Sequence, residues 1–180
     1  RKKGNSADMA EAFTEAALSH GSTVSSYHLN TMEYQGCQGC FGCKTKSDRC
    51  ILKDDLAPVL DEIRDCDCLA LATPVYFGDV TGQMKLFIDR CFSFLIRDYP
   101  GKPVKTRLDP GKKFSMIIAQ GHPREDISDD IFPRYSFYFK WLGFTEPHPI
   151  RACGVYHKDA AKAGDVQEMV RRETEKMLGV

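Results

Sequence analysis

The sequence predicts an α/β fold, a doubly wound parallel sheet of five strands. Continuous apolar runs of strand length occur at residues 68–73 (CLALAT) and 114–119 (FSMIIA), and such runs mark strands covered on both faces. They alternate with segments of helical period, which implies crossover helices on both faces of a parallel sheet. The length bounds the count: 180 residues suit one domain, spanning 1–180, able to bury its own core.

Residues 1–6 (RKKGNS) read as a loop feeding a helix, with Asn5 or Ser6 as N-cap. Met9, Phe13, Ala16 and Ala17 follow the helical period, and Gly21 sits where a C′ glycine belongs. Residues 23–29 (TVSSYHL) read as a short strand, followed by a cysteine loop containing Gly36, Gly39 and Gly42. Residues 54–64 form a helix with Leu56, Val59, Leu60 and Ile63 on one face, and Pro58 is tolerated in its first turns. After the strand at 68–73, Pro74 holds Thr73 extended. Residues 81–96 read as a helix that is apolar nearly all round, and 98–111 as a loop. The strand at 114–119 leads into Gln120, and residues 128–142 form an aromatic-rich helix. A strand at 150–155 and an amphipathic helix at 160–178 follow. The order begins on a helix, whereas the central strand of such a sheet should come first. The native polypeptide is therefore expected to carry that strand ahead of Arg1, about ten further residues.

Lys+Arg and Asp+Glu number 25 each, so the net charge is zero; nucleic acid as main partner is disfavoured, because phosphate neutralisation needs a basic surplus. No run approaches the ~20 apolar residues of a membrane span. No signal-peptide pattern opens the sequence. Four of the eight cysteines fall within 14 residues, which is clustering for metal or redox chemistry rather than a disulfide framework. The expected setting is cytoplasmic, with no membrane partner.

Five segments can carry chemistry. Lys3, Gly4, Asn5 and Ser6 precede a helix N-terminus, where backbone N–H groups make an anion site; Arg1 and Lys2 add charge. The alternative is an ordinary N-cap. Neither a GxGxxG nor a GxxxxGK[ST] pattern is present, so a mononucleotide is the better candidate there. Thr73, Pro74, Val75, Tyr76, Phe77, Gly78 and Asp79 leave the carboxyl end of a buried strand, where open α/β sheets bind ligands. Two aromatics beside a glycine suit a flat ring; a plain turn with core aromatics is the alternative. Gln120, Gly121 and His122 leave the neighbouring strand, and His122 can bond an anionic ring edge or simply face solvent. Cys37, Cys40, Cys43 and Cys50 have the spacing C-x2-C-x2-C-x6-C, which leaves an iron–sulfur cluster, zinc and free thiols open. Cys66, Cys68, Cys91 and Cys153 read as small apolar filler. Finally, residues 132–144 carry seven of the 19 aromatics, more than one helix face can bury. They point to a subunit interface or to a large core.

Taken together these segments resemble the NAD(P)H-dependent FMN reductase and iron–sulfur flavoprotein family, which has the flavodoxin-like fold. Arg1 to Ser6 match the second half of its phosphate loop. Cys37, Cys40, Cys43 and Cys50, followed by Asp54 and Asp55, match its cysteine loop and the helix start after it. Thr73 to Gly78, Thr81, Lys85, Asp89 and Arg90 match its TPVY-x-G…K…DR stretch. The resemblance implies a strand order of 2-1-3-4-5. It implies FMN with its phosphate on residues 1–6 and its ring against residues 74–79 and the Gln120–Gly121 loop. It also implies a homodimer or homotetramer and, in some relatives, a [4Fe–4S] cluster on the four cysteines. The function expected is hydride transfer from NAD(P)H to FMN and on to a quinone, a flavin or a protein electron carrier. Hydride transfer needs no acid–base pair, so no catalytic side chain is nominated. Two other readings stand beside it: a flavodoxin-type electron carrier without its own substrate, against which the neutral charge argues mildly, and a zinc-stapled binding module.

Overall fold

Three parallel strands form the sheet of the computed structural model, which describes residues 3–180. Arg1 and Lys2, named above for phosphate binding, lie outside the described residues. Strands β1 (Cys68–Pro74), β2 (Lys112–Ala119) and β3 (Phe144–Ala152) stand in the order β1-β2-β3, with Leu71 opposite Met116 and Ile117 opposite Ile150. The helices are α1 (Asn5–Ser19), the single turn α2 (Gly42–Thr45), α3 (Leu56–Asp65), α4 (Gly82–Arg90), α5 (Ile131–Trp141) and α6 (Gly164–Leu178).

Alternate residues of β2 serve two cores, as the period of a strand requires. Phe114, Met116 and Ile118 face one side and pack with α3, α4 and α5 through Leu60, Phe87 and Phe139. Ile117 and Ala119 face the other and pack with α1 and α6 through Met9, Phe13, Val170 and Met177. The sheet is thus covered on both faces, as the apolar runs predict. The Phe114 and Phe139 rings stack 4.2 Å apart, 7° from parallel, with Phe144 5.6 Å from Phe139. Phe139 is buried, so Phe139→Ala is expected to cost about 3–5 kcal/mol, read as a lowered urea midpoint. Phe137→Ala, on the exposed face of α5, is expected to cost no more than about 0.5 kcal/mol in the same titration.

The last strand begins six residues before the predicted 150, at Phe144. Pro147 and Pro149 obscure it in the sequence. They are tolerated because β3 is an edge strand, where an imide nitrogen interrupts no ladder to a further neighbour. The long apolar helix is shorter than predicted: α4 stops at Arg90 and continues as a 3₁₀ turn, Cys91–Phe94. The helix before β3 likewise starts at Ile131 rather than 128.

The largest departure concerns residues 23–29. They form no strand, and the sheet has three strands among the described residues, so the predicted five-strand order is not reached. In that order, residues 23–29 pair only with the central strand, and without that neighbour their alternation has no ladder to join. Instead they line a cavity of about 2120 Å³, together with β1 residues Cys68–Ala72, Phe13 and Ala17 of α1, and Val59 and Ile63 of α3. The cavity exceeds the roughly 300–1,000 Å³ of a small-molecule pocket. The arm of the cavity beside β1 lies between Phe13 and Ala17 of α1 and Val59 and Ile63 of α3. No helix among the described residues is long and apolar enough to cross a membrane.

Candidate functional site

Parallel strands place all their carboxyl ends on one edge of the sheet. The loops that leave β1, β2 and β3 therefore gather there, and the start of α1 joins them. Gly4, Asn5, Ser6, Pro74, Val75, Tyr76, Phe77, Gly78, Gln120, Gly121 and His122 all line the same cavity. Lys3, Thr73 and Asp79 do not lie on its wall. Tyr156, His157 and Lys158, after β3, complete the rim. Sequence reasoning missed these three because they form no motif, although the end of a third parallel strand is the topological signal for them.

Several of the candidate side chains are already engaged by the protein. Asn5 Nδ2 donates to the carbonyls of Val155 and His157 at 2.6 and 2.9 Å, and its Oδ1 accepts from Ala161 N at 3.2 Å. Asn5 thus ties the loop after β3 to the N-terminus of α1. Gln120, 1% exposed, donates to the carbonyls of His122 and Arg124 and accepts from Arg151. Arg151 also donates to Ile127 O at 2.6 Å, so the pair braces the loop after β2. Thr73 is buried beneath the site, where its hydroxyl accepts from Thr81 N at 3.2 Å. The Asp79 carboxylate accepts from Tyr135 Oη at 3.0 Å and Val80 N at 2.7 Å and pairs with Arg134 at 3.2 Å. Burial, then the Asp79 bond, push the Tyr135 phenol up, which keeps it a donor at neutral pH. Asp79 therefore pins the loop after β1 to α5.

With these side chains occupied, main-chain groups remain for a ligand. Among the described residues, the N–H groups of Phe77, Gly78, Gly121 and His122 have no hydrogen-bond partner within the chain. The first N–H groups of α1, at Asn5 and Ser6, have no partner among the described residues and stand beside the Ser6 hydroxyl. Two free donors on each of the loops after β1 and β2 suit the polar edge of a flat ring, and the helix N-terminus suits an anion. Gly121 lets the backbone approach closely, since a Cβ there meets the Tyr156 ring at 3.1 Å. Gly121→Val is expected to displace Tyr156 and to weaken the flavin binding that the sequence leads one to expect at least about tenfold, one misfitted contact, measured by flavin fluorescence.

The cysteine loop stands apart from this edge. Cys37, Cys40, Cys43 and Cys50 share one small cavity with Phe41, Ile51, Arg90 and Phe92. Cys37 and Cys40 are exposed and Cys43 is buried. Gly39 and Phe41 take the left-handed backbone, at φ 61° and 54°, that bends the loop around them. Cations surround it. Arg90 Nε donates to Cys50 Sγ at 3.2 Å, Arg107 donates to Cys43 O at 3.0 Å, and Lys44 Nζ donates to Phe92 O at 2.6 Å. Its base is closed by Asp54, which accepts from Arg90 at 2.6 Å and from Gln35 N at 3.2 Å. An all-thiol donor set within a cationic frame fits a negatively charged tetrathiolate centre. Among the described residues no three ligand-type side chains stand close enough to hold a metal ion, so the thiols must draw together to bind one. The other cysteines behave as filler: burial pushes Cys68 up to about 12 and raises Cys91 further. Alkylation of the folded protein by iodoacetamide at pH 8 is expected at Cys37 and Cys40 and absent at Cys68 and Cys91, mapped by peptide mass.

The comparisons with known proteins bear on the fold and, for part of the chain, on the sequence. An iron–sulfur flavoprotein of Archaeoglobus fulgidus is 34% identical over 94 residues, 52% of this chain and 42% of that relative. The match thus spans less than half of the relative's length. The NAD(P)H:quinone oxidoreductase of Methanothermobacter marburgensis has a similar structure, with a TM-score of 0.70, 20% identity, and coverage of 98% of this chain and 90% of the other. An FMN-dependent NADH-azoreductase of Bacillus anthracis, solved in complex with FMN, gives 0.68, 15% identity, and coverage of 98% and 90%. Residues 1–176 match the family model described as the flavodoxin-like fold, and a match of that extent places the chain in the family of flavodoxin-like proteins.

Proposed function

We propose that the protein is an FMN-dependent oxidoreductase that takes hydride from NAD(P)H and passes electrons to a quinone, a flavin or a protein carrier. The observation that carries this reading is the convergence of the α1 N-terminus and three strand-end loops, with free N–H donors, on one cavity. The relatives named above support it. When bound, FMN supplies the hydride acceptance and the one- or two-electron delivery. The N-terminus of α1, with Gly4, Asn5 and Ser6, receives the phosphate through main-chain N–H groups and the Ser6 hydroxyl. The N–H groups of Phe77, Gly78, Gly121 and His122 orient the ring. Asn5, Gln120, Thr73 and Asp79 hold those loops in register, and Pro74, Val75 and Tyr76 exclude water from one side. Arg1 and Lys3 add positive charge toward the phosphate.

Cys37, Cys40, Cys43 and Cys50 are the residues that would hold a [4Fe–4S] cluster, which supplies one-electron transfer. The strand order 2-1-3-4-5 belongs to the same proposal, with its central strand in the cavity arm beside β1. Self-association as a homodimer or homotetramer would cover the outer face of α5, where Phe137 and Tyr138 are exposed. The test is NAD(P)H oxidation by the FMN-loaded protein with a quinone as acceptor. Turnover above the free-flavin rate is expected. Bound flavin without NAD(P)H oxidation points instead to an electron carrier, and zinc at one per chain without flavin to a binding module.

A further inference from the structure

The Arg90 guanidinium grips three different groups. Its Nη1 donates to Asp54 Oδ2 at 2.6 Å and to Gln35 O at 2.8 Å, and its Nη2 donates to Asp54 Oδ1 at 3.1 Å. Its Nε donates to Cys50 Sγ at 3.2 Å. Gln35 lies just before the first cysteine of the loop and Cys50 is the last, so one buried side chain staples both ends. A planar guanidinium clamped by a carboxylate through both Nη atoms cannot turn, and the direction of its Nε–H is thereby fixed. Pairing with Asp54 accounts for the two Nη atoms; it does not account for an Nε–H set against a sulfur. The middle of the loop is held separately, by Arg107 through Cys43 O at 3.0 Å, whereas Cys37 and Cys40 are exposed. When the thiols draw together, Cys50 is thus the fixed corner, and Cys37 and Cys40 are the ones that move.

We propose that Arg90 is a positioning residue for the tetrathiolate centre: its Nε–H···Sγ bond fixes Cys50 as a rigid corner of the site and raises the reduction potential of a cluster bound there. The inference rests on the [4Fe–4S] reading above and goes beyond it, from which residues hold the cluster to what sets its potential. Hydrogen bonds to the ligating sulfurs are among the features that set such a potential. Reduction by one electron adds negative charge to the cluster and its sulfurs. An N–H donor is attracted more strongly to the more negative form and therefore favours it. Asp54 offsets the charge of the arginine as a whole, which leaves the Nε–H dipole as what the sulfur meets. Because the Arg90 side chain has no exposed surface, salt screens that contact little.

The experiment uses the full chain loaded with FMN and reconstituted anaerobically with ferrous iron and sulfide. Iron per chain is counted, and the cluster midpoint is read by electron paramagnetic resonance during a dithionite titration. Wild type, Arg90→Lys, Arg90→Gln and Asp54→Asn are compared. Lysine keeps the charge and can still pair with Asp54, but its single ammonium cannot also serve Gln35 and Cys50. The reduction equilibrium of the cluster is expected to shift about tenfold toward the oxidised form in Arg90→Lys, about 59 mV for one electron, and at least as far in Arg90→Gln. Asp54→Asn leaves the guanidinium beside the sulfur and removes a negative charge, so its midpoint is expected to hold or rise. The flavin midpoint is expected to stay the same in all three variants. An unchanged cluster midpoint in both Arg90 variants, or an equal fall in Asp54→Asn, overturns the inference while leaving the cluster reading intact. Loss of iron from both Arg90 variants also overturns it, because the arginine then serves only the fold of the loop. A wild-type protein that takes up no iron overturns the cluster reading and the inference together, and that result is visible before any variant is made.

Discussion

Replacing Arg90 by Met is expected to destabilise the protein by about 3–5 kcal/mol, the cost of breaking a buried ion pair from one side. The Arg90 side chain has no exposed surface, and it holds both oxygens of Asp54, at 2.6 and 3.1 Å. It also donates to Gln35 O at 2.8 Å and to Cys50 Sγ at 3.2 Å. Met fills most of the volume but leaves the Asp54 charge and the Gln35 carbonyl without their partner. Asp54→Asn in the same background should cost less than it does alone, since the two residues act as one unit. Urea unfolding of the single and double variants checks this, and a cost of under about 1 kcal/mol for Arg90→Met would remove the pair as the closure of the cysteine loop. The pair also sets an acid limit. Burial opposes the Asp54 charge, but the bonds from Arg90 and from Gln35 N–H outweigh it and hold the carboxyl below its usual range. A carboxyl depressed in the folded state contributes stability that is fully present above about pH 4, the ordinary carboxylate value, and is lost as pH falls through the lower folded value. Arg90→Met should flatten that acid limb.

The second large effect concerns the cavity arm beside β1. An apolar strand of about six residues, joined ahead of Arg1 or supplied as a peptide in trans, is expected to raise stability by roughly 2–4 kcal/mol. Such a strand would lie beside Phe13, Val59 and Ile63, which line the arm, and would give the outer edge of β1 and residues 23–29 a ladder partner. Burial of its side chains at ~1.5–3 kcal/mol each is largely offset by fixing its backbone at ~1–2 kcal/mol per residue, so the net is modest. The urea m-value should rise with it, because more surface is exposed on unfolding. A scrambled polar segment in the same place serves as control. An unchanged midpoint and m-value with the apolar strand would mean that the arm does not accept one.

What was legible in the sequence follows from burial. The runs at β1 and β2 are apolar on both faces and could be read directly, whereas β3 carries Pro147 and Pro149, which look like loop until the edge position is known. Residues 23–29 alternate like a strand, but strand formation is a property of pairs, and one member alone does not supply it. At the site, the loops after β1 and β2 were legible because they follow obvious strands. The work of individual side chains was not. Asn5 is held by carbonyls 150 and 152 residues away, Gln120 by Arg151, and Asp79 by Tyr135. Such partners are set by tertiary structure, so residue type alone does not show that the chain uses these groups to position its own loops. Phe77 is the converse case: its neighbours hinted at a ring-binding loop, but only the backbone shows that it occupies a position suited to Asn.

The most direct test of the central claim is titration of the protein with FMN, followed by flavin fluorescence and by the absorption spectrum of the complex. The expected result is saturable quenching at about one FMN per chain, with micromolar or tighter affinity (roughly −8 kcal/mol), weakened by Gly121→Val and by inorganic phosphate competing at the α1 N-terminus. Absence of quenching at about 100 μM FMN, roughly a hundredfold above that affinity, would contradict the account.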